Sequence, residues 1–219
     1  MNYTQLSKED ILNKISEIEG WFRSDEIEMM YDIVKNLSGS AAIVEIGSWC
    51  GRSLSLITLA ARKFGNYSKI FSIDPFLTSK SEDNGKFEIF KKNLEKNDIL
   101  NEITHIKEKS HVAGMNFSEK IELLFIDGFH KYDYVKKDFE LFSSNVIENG
   151  VIILHDVGSY FGPTKLVQEL LETRDLKAIA HIGSSFVFRK SKLSTEDEIV
   201  NKNFLKNINN LLETKNLID

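Results

Sequence analysis

Apolar residues recur along this chain with two alternating periods. Ile11, Ile15 and Ile18 fall three to four positions apart, the spacing of one helical face, with Ser7 placed to cap the helix and Gly20 to end it. Residues 24–37 repeat the pattern through Ile27, Met30, Val34 and Leu37, and Asp25 and Glu28 suit the N-terminus of that helix. The pattern then shortens. Residues 43–47 form an apolar run that reads as a first strand, followed by a helix over 53–64 with Leu56, Ile57, Ala60, Ala61 and Phe64 available for packing. A second strand spans 69–74 and is closed by Pro75; residues 86–97 read as a helix through Phe87, Phe90 and Leu94. Residues 103–110 are a weaker, more polar strand, suited to a place near a sheet edge.

The alternation continues with an apolar strand at 121–127 and a helix at 131–146 carrying Val135, Phe139, Phe142 and Val146, terminated by Asn149-Gly150. Residues 151–156 are apolar on both faces, as a buried parallel strand is, and Pro163 suits the start of a helix with Leu166, Val167, Leu170 and Leu171. Only Gly183-Ser184-Ser185 separates strands 176–182 and 186–190, too short a link for a crossover helix, so these two predict an antiparallel hairpin. Thr195 and Glu198 have capping-box spacing ahead of a final polar helix with Ile199, Leu205, Ile208 and Leu212 as its packed face. The expected fold class is therefore α/β, with residues 1–38 as a helical lid, 39–190 as the core and 191–219 as a helical tail of a single domain.

Composition narrows the partners. A chain of 219 residues, 42% hydrophobic, can fill one core, and a net charge of −5 leaves no excess of Lys and Arg to neutralise phosphates, which disfavours nucleic acid. The polar residues 1–10 and the lack of a long apolar run predict no membrane partner and a cytoplasmic location. Cys50 is the sole cysteine; it excludes an internal disulfide and a cysteine zinc cluster, and reads as a small packing residue.

The candidate chemistry sits at strand ends. Four predicted strands end in acids, Glu45, Asp74, Asp127 and Asp156, and parallel strands bring their carboxyl ends to the edge where ligands bind. One such acid alone would read as a helix cap or a solvated turn; four on a shared edge shift the reading to a site. Gly47 and Gly51 mark a tight turn between strand and helix, and Asp74, 27 residues beyond Gly47, stands where an acid accepts hydrogen bonds from ribose. A pyrophosphate turn needs Gly-x-Gly-x-x-Gly, whereas this turn has Gly47-x-x-x-Gly51 with Glu45 and Trp49 beside it. Glu45 repels pyrophosphate and suits an amine or sulfonium, which points to S-adenosylmethionine. Tyr132-x-x-x-Lys136 matches the Tyr-Lys pair of short-chain dehydrogenases, but it follows the fourth strand and lacks their glycine-rich turn, so it is set aside.

The order of these pieces, ending with Ile126-Asp127-Gly128-x-His130-x-Tyr132, Leu154-His155-Asp156 and the terminal hairpin, resembles the class I S-adenosylmethionine-dependent methyltransferases. More narrowly it is similar to small bacterial O-methyltransferases, and residues 45–53 are similar to the cofactor turn of catechol O-methyltransferases. The resemblance implies a Rossmann-like seven-stranded sheet of order 3-2-1-4-5-7-6, last strand antiparallel, with helices on both faces. It implies that Glu45, Gly47 and Ser53 line the methionine end of the cofactor, with Ser48, Trp49 and Gly51 completing the turn. Asp74 takes the ribose, Ser110 the adenine side, and Asp127 the cofactor edge.

A methyl acceptor oxygen also needs its proton removed or its charge offset. His130 matches the basic lysine of the catechol enzymes and suits a general base near neutrality, with Asp127 beside it. Asp127 and Asp156 are candidate ligands for Mg or another divalent metal, with His155 or His130 as the third. Val157 stands where the catechol enzymes carry an Asn, so manganese, iron or no metal also stay open. His155 equally suits orienting Asp127, and His105, His111 and His181 read as structural. The expected acceptor is a hydroxyl of a small molecule, a sugar or natural-product intermediate, chosen by loop 77–86 and the N-terminal helices. Trp21 and Phe22 belong either to that lid or to the core. The tail after Ser194 offers a face for a homo-oligomer. Two other readings stay open: a Rossmann-type oxidoreductase or hydroxylase relative on the same fold, and a non-catalytic nucleoside-binding module.

Overall fold

The computed structural model describes residues 2–77 and 85–219; most of loop 77–86, expected to choose the acceptor, lies outside the described residues. Its seven strands form one sheet in the order β3-β2-β1-β4-β5-β7-β6, the order expected. Two compact units make up the chain, Met1–Ala113 and Gly114–Asp219.

The first unit contains helices α1 (Lys8–Ser16) and α2 (Ser24–Lys35), then β1 (Ala42–Ile46), α3 (Arg52–Lys63), β2 (Ile70–Ile73), α4 (Lys86–Lys96) and β3 (Ile103–Ile106). Ser7 caps α1 as its sequence predicts, its Oγ accepting from the Asp10 N–H at 3.0 Å while Asp10 accepts the Ser7 N–H at 2.8 Å. Strand β1 pairs in parallel with β2, Ile43 opposite Ile70, and β2 in parallel with β3. Every residue of β1 and β2 is buried, which explains why all but Glu45 and Ser72 are apolar. Buried Arg62 of α3 is satisfied by Glu102 at 2.7 Å and by the carbonyls of Asn66 and Ser68. The strand expected over 103–110 stops at Ile106. Glu108 donates back to the Ile106 carbonyl, turning the chain, and Ser110 opens a short helix, α5 (Ser110–Met115), that lacks a legible apolar stripe.

The second unit contains β4 (Ile121–Ile126), α6 (Tyr132–Ser143), β5 (Val146–Leu154), α7 (Phe161–Leu170), β6 (Leu176–Ile182), β7 (Ser185–Lys190) and α8 (Thr195–Thr214). Here the helix expected to reach residue 146 ends at Ser143, and Val146 instead pairs with Ile121 of β4. Asn149-Gly150 therefore lies inside β5, where the register shifts, rather than ending the helix. Asn149 has φ 64°, and a Cβ on Gly150 would stand 2.6 Å from the Val146 side chain, so the strand folds onto itself there as only glycine permits. The hairpin of β6 and β7 is antiparallel as expected, and β7 also pairs antiparallel with β5.

Helix α8 is capped one residue earlier than its spacing suggests. Ser194 and Asp197 form the capping box, and Asp197 is also bound by Lys177 at 2.6 Å. Buried Asn201 accepts from the Ala178 N–H and donates to the Leu176 carbonyl of edge strand β6. Ile208 is fully buried, whereas Ile199, expected on the packed face, is 54% exposed, and the buried position beside it is Asn201.

Candidate active site

The turn between β1 and α3 is built around Asp74. One carboxylate oxygen accepts the N–H groups of Ser48 at 2.8 Å and Trp49 at 2.9 Å, and the other accepts the Phe76 N–H at 2.6 Å. Gly47 donates to the Ile73 carbonyl at 2.9 Å, and the hydroxyls of Ser48 and Ser72 meet at 2.7 Å. These bonds pin the turn to the end of β2. Gly47 and Gly51 have φ of 87° and 86°, the left-handed region that glycine enters without penalty, and a Cβ on Gly51 would press on Phe90 at 3.1 Å. Sequence reasoning placed Asp74 at a ribose and missed that it organises the turn; an acid at a strand end signals both roles equally.

Glu45 is fully buried and accepts the Ser53 hydroxyl at 2.7 Å, tying β1 to the first turn of α3, where the helix dipole favours a carboxylate. Trp49, at φ 47°, leaves 37% of its surface exposed. Its ring lies 5.5 Å from that of Trp21 and 4.2 Å beneath the Lys86 ammonium, itself paired with Glu19. The two aromatics at the α1–α2 break thus divide: Phe22 is a core anchor, and Trp21, 72% exposed, lies on the turn. Cys50 is fully buried, and burial pushes its thiol up, as for a packing residue. Glu45, Gly47, Ser48, Trp49, Gly51, Ser53 and Asp74 are therefore one assembly, while Ser110 starts α5.

In the second unit Asp127, His130, His155 and Asp156 converge. His130 Nε2 lies 2.7 Å from Asp156 Oδ2; His155 Nδ1 lies 3.0 Å from Asp127 Oδ1 and 3.5 Å from Asp156 Oδ2. Burial raises the pKa of Asp127, with His155 opposing it. Burial also pushes Asp156 up, but hydrogen bonds from His130 and His155 outweigh it and hold this carboxyl far below its usual range. Ligand atoms of Asp127, His130 and Asp156 all lie within 4.8 Å of one another, a grouping that can hold a cation. His155 is outside that grouping: its ring nitrogens lie 3.0 Å from Asp127 and 3.1 Å from the Ser184 hydroxyl, contacts that suit orienting Asp127.

Two neighbours of His130 carry no recognisable motif. The Tyr160 ring stacks on the imidazole, centroids 4.0 Å apart at 30°, and a Cβ on Gly162 would stand 2.0 Å from the His130 carbonyl oxygen. Thirty residues separate Tyr160 from its partner, so no local spacing signals it. Two other histidines lie against aromatic rings: His105 stands edge-on to Phe90 at 5.2 Å with its pKa lowered by burial, and His181 lies 5.5 Å from Phe186. Tyr132 and Lys136 join Glu169 in a tie between α6 and α7.

Known proteins share this fold. The chain is 31% identical over 140 residues to an uncharacterized protein of Acanthamoeba polyphaga mimivirus, an alignment covering 59% of this chain and 60% of that relative's length. Among solved structures, it resembles a candidate caffeoyl-CoA O-methyltransferase of Staphylococcus aureus with a TM-score of 0.64 and 15% identity, over 85% of this chain and 93% of that one. It also resembles a TDP-rhamnose 3'-O-methyltransferase of calicheamicin biosynthesis with a TM-score of 0.54 and 13% identity, over 84% of this chain and 81% of that one. At these identities the structures show a common fold. The model of the family described as "Methyltransferase domain" matches residues 44–157, just over half of the sequence and including both Glu45 and Asp156. The chain belongs to that methyltransferase family, whose members take their methyl group from S-adenosylmethionine.

Proposed function

We propose that this enzyme methylates a hydroxyl oxygen of a small molecule, a sugar or natural-product intermediate, with His130 as the general base. The observation that carries this reading is the 2.7 Å contact of His130 Nε2 with Asp156, whose carboxyl stays ionised. An Asp-bound Nε2–H leaves Nδ1 as the nitrogen that accepts a proton. When bound, S-adenosylmethionine supplies a methyl group on a sulfonium centre. Glu45, a buried carboxyl at the start of α3, suits its ammonium end, the turn from Gly47 to Ser53 its methionine portion, Asp74 its ribose and Ser110 its adenine. Orientation of acceptor and donor supplies the larger part of the barrier lowering, up to about 7–11 kcal/mol. The structural neighbour that acts on TDP-rhamnose supports a hydroxyl acceptor of this size. The net charge of −5 supports a small-molecule partner over nucleic acid.

Calorimetric titration with S-adenosylhomocysteine tests the cofactor site, and methyl transfer to TDP-rhamnose and to catechol probes the acceptor. His130→Gln is expected to lower kcat by roughly 10²–10⁴-fold while leaving S-adenosylhomocysteine affinity unchanged. A wild-type rate in that variant removes His130 from the chemistry.

The clustering of Asp127, His130 and Asp156 favours a second reading, in which these three hold a divalent ion. Two carboxylates and one imidazole fit Mn or Fe better than Mg, and such an ion would supply positive charge to an acceptor oxygen. Full turnover after exhaustive EDTA dialysis would exclude this second reading. Turnover that vanishes and returns with Mn would favour it.

A further inference from the structure

The loop between β5 and α7 carries Asp156 and, four residues on, Tyr160 against the His130 ring. Asp156 sits at φ 62°, a conformation unfavourable for a non-glycine residue that persists only where surroundings enforce it. Part of that enforcement is local. Ser159 and Tyr160 both donate to the Asp156 carbonyl, and the Thr164 hydroxyl accepts from Gly158 at 2.8 Å and donates to the Tyr160 carbonyl at 2.6 Å.

The rest comes from a segment more than fifty residues away. Beyond α8 the chain runs alongside this loop and pairs with it on both sides of Tyr160. Phe161 donates to the Ile218 carbonyl at 2.8 Å, and Ile218 donates to the Ser159 carbonyl at 3.1 Å, a parallel bridge centred on Tyr160 and Ile218. Lys215 Nζ donates to the Gly158 carbonyl at 2.8 Å, and Leu211 lies 3.3 Å from where a Gly158 Cβ would stand. Helix α8 is itself anchored on β6 through Asn201, so these residues hang from a fixed point.

We propose that residues 215–218 are a strap that positions His130. Backbone pairing by Ile218 fixes Tyr160, and the Tyr160 ring in turn fixes the plane of the imidazole whose Nε2 meets Asp156. The inference rests on the role of His130 given above, but its first test does not depend on turnover.

Ile218→Pro removes the N–H that donates to Ser159, whereas Ile218→Ala keeps both backbone bonds. In the full chain, the His130 ring-proton NMR signals, assigned by their loss in His130→Gln, should move towards those of an unstacked imidazole in Ile218→Pro and in Tyr160→Leu. They should stay in place in Ile218→Ala and in Tyr160→Phe. With whichever of TDP-rhamnose or catechol the wild type methylates, Ile218→Pro should lower kcat about ten- to hundredfold, with KM and S-adenosylhomocysteine affinity within about twofold. If Ile218→Pro fails to fold, Lys215→Met, which removes only the bond to Gly158, carries the same readouts. Unmoved His130 signals in a folded strap variant would overturn the proposal. So would equal losses of kcat in Ile218→Ala and Ile218→Pro, which mark a merely structural tail. Absence of turnover in the wild type would instead count against the methyl-transfer role, leaving the NMR test of the strap intact.

Discussion

Asp74 shows how one side chain serves two scales of organisation. Its carboxylate accepts three backbone N–H groups, and bonds to a charged acceptor are each worth about 1.5–3 kcal/mol. Asp74→Ala is therefore expected to destabilise the chain by at least ~2 kcal/mol in urea denaturation and to weaken S-adenosylhomocysteine binding in calorimetry. Gly162 is the opposite case, a residue that acts by what it lacks. Its α7 position abuts the His130–Tyr132 backbone so closely that Gly162→Ala must push the loop away, at a cost of about 1–3 kcal/mol by thermal melting, together with a drop in kcat. Asp74, Asp127 and Asp156 were legible in the sequence because each follows an apolar strand within two residues, Glu45 because it is the one charge inside such a strand, and His130 because it comes three residues after Asp127. Tyr160 and Ser184 were not, since a stacked ring or a hydroxyl on His155 is a contact between distant segments that leaves no spacing behind.

At the scale of elements, apolar period located every strand and nearly every helix, and failed where polar residues decide. Strand β5 begins before Asn149-Gly150 because a bulge absorbs those residues, and a turn dipeptide looks the same in a bulge as at a helix end. Helix α8 is tied to β6 through Asn201, a buried amide that an apolar stripe cannot reveal. Its N-terminus also makes a pH-dependent prediction. Lys177 and the Ser194 backbone hold the Asp197 pKa down to about 2 from its ordinary value of about 3.8. The stabilisation this carboxylate gives is thus complete above the unfolded value and is lost as pH falls from about 3.8 towards about 2. Denaturation midpoints measured across that window should fall less steeply in Asp197→Asn than in the wild type.

At the scale of the whole molecule, strand order and connection lengths made the fold legible: parallel strands alternating with helices, closed by a hairpin with no room for a crossover. In the tail, Asn201 binds β6 of its own unit and Ile208 is fully buried, while Ile199 and Val200 keep an exposed face. Among the described residues no helix is long and apolar enough to cross a membrane.

The bonds of Asp74 to the turn have a thermodynamic consequence. A turn already closed on its anion enters binding without a folding transition of its own, so cofactor association should show a heat-capacity change set by the ligand surface buried and not by chain ordering. In Asp74→Ala the turn must close as the cofactor arrives, and that change should become more negative while the affinity falls.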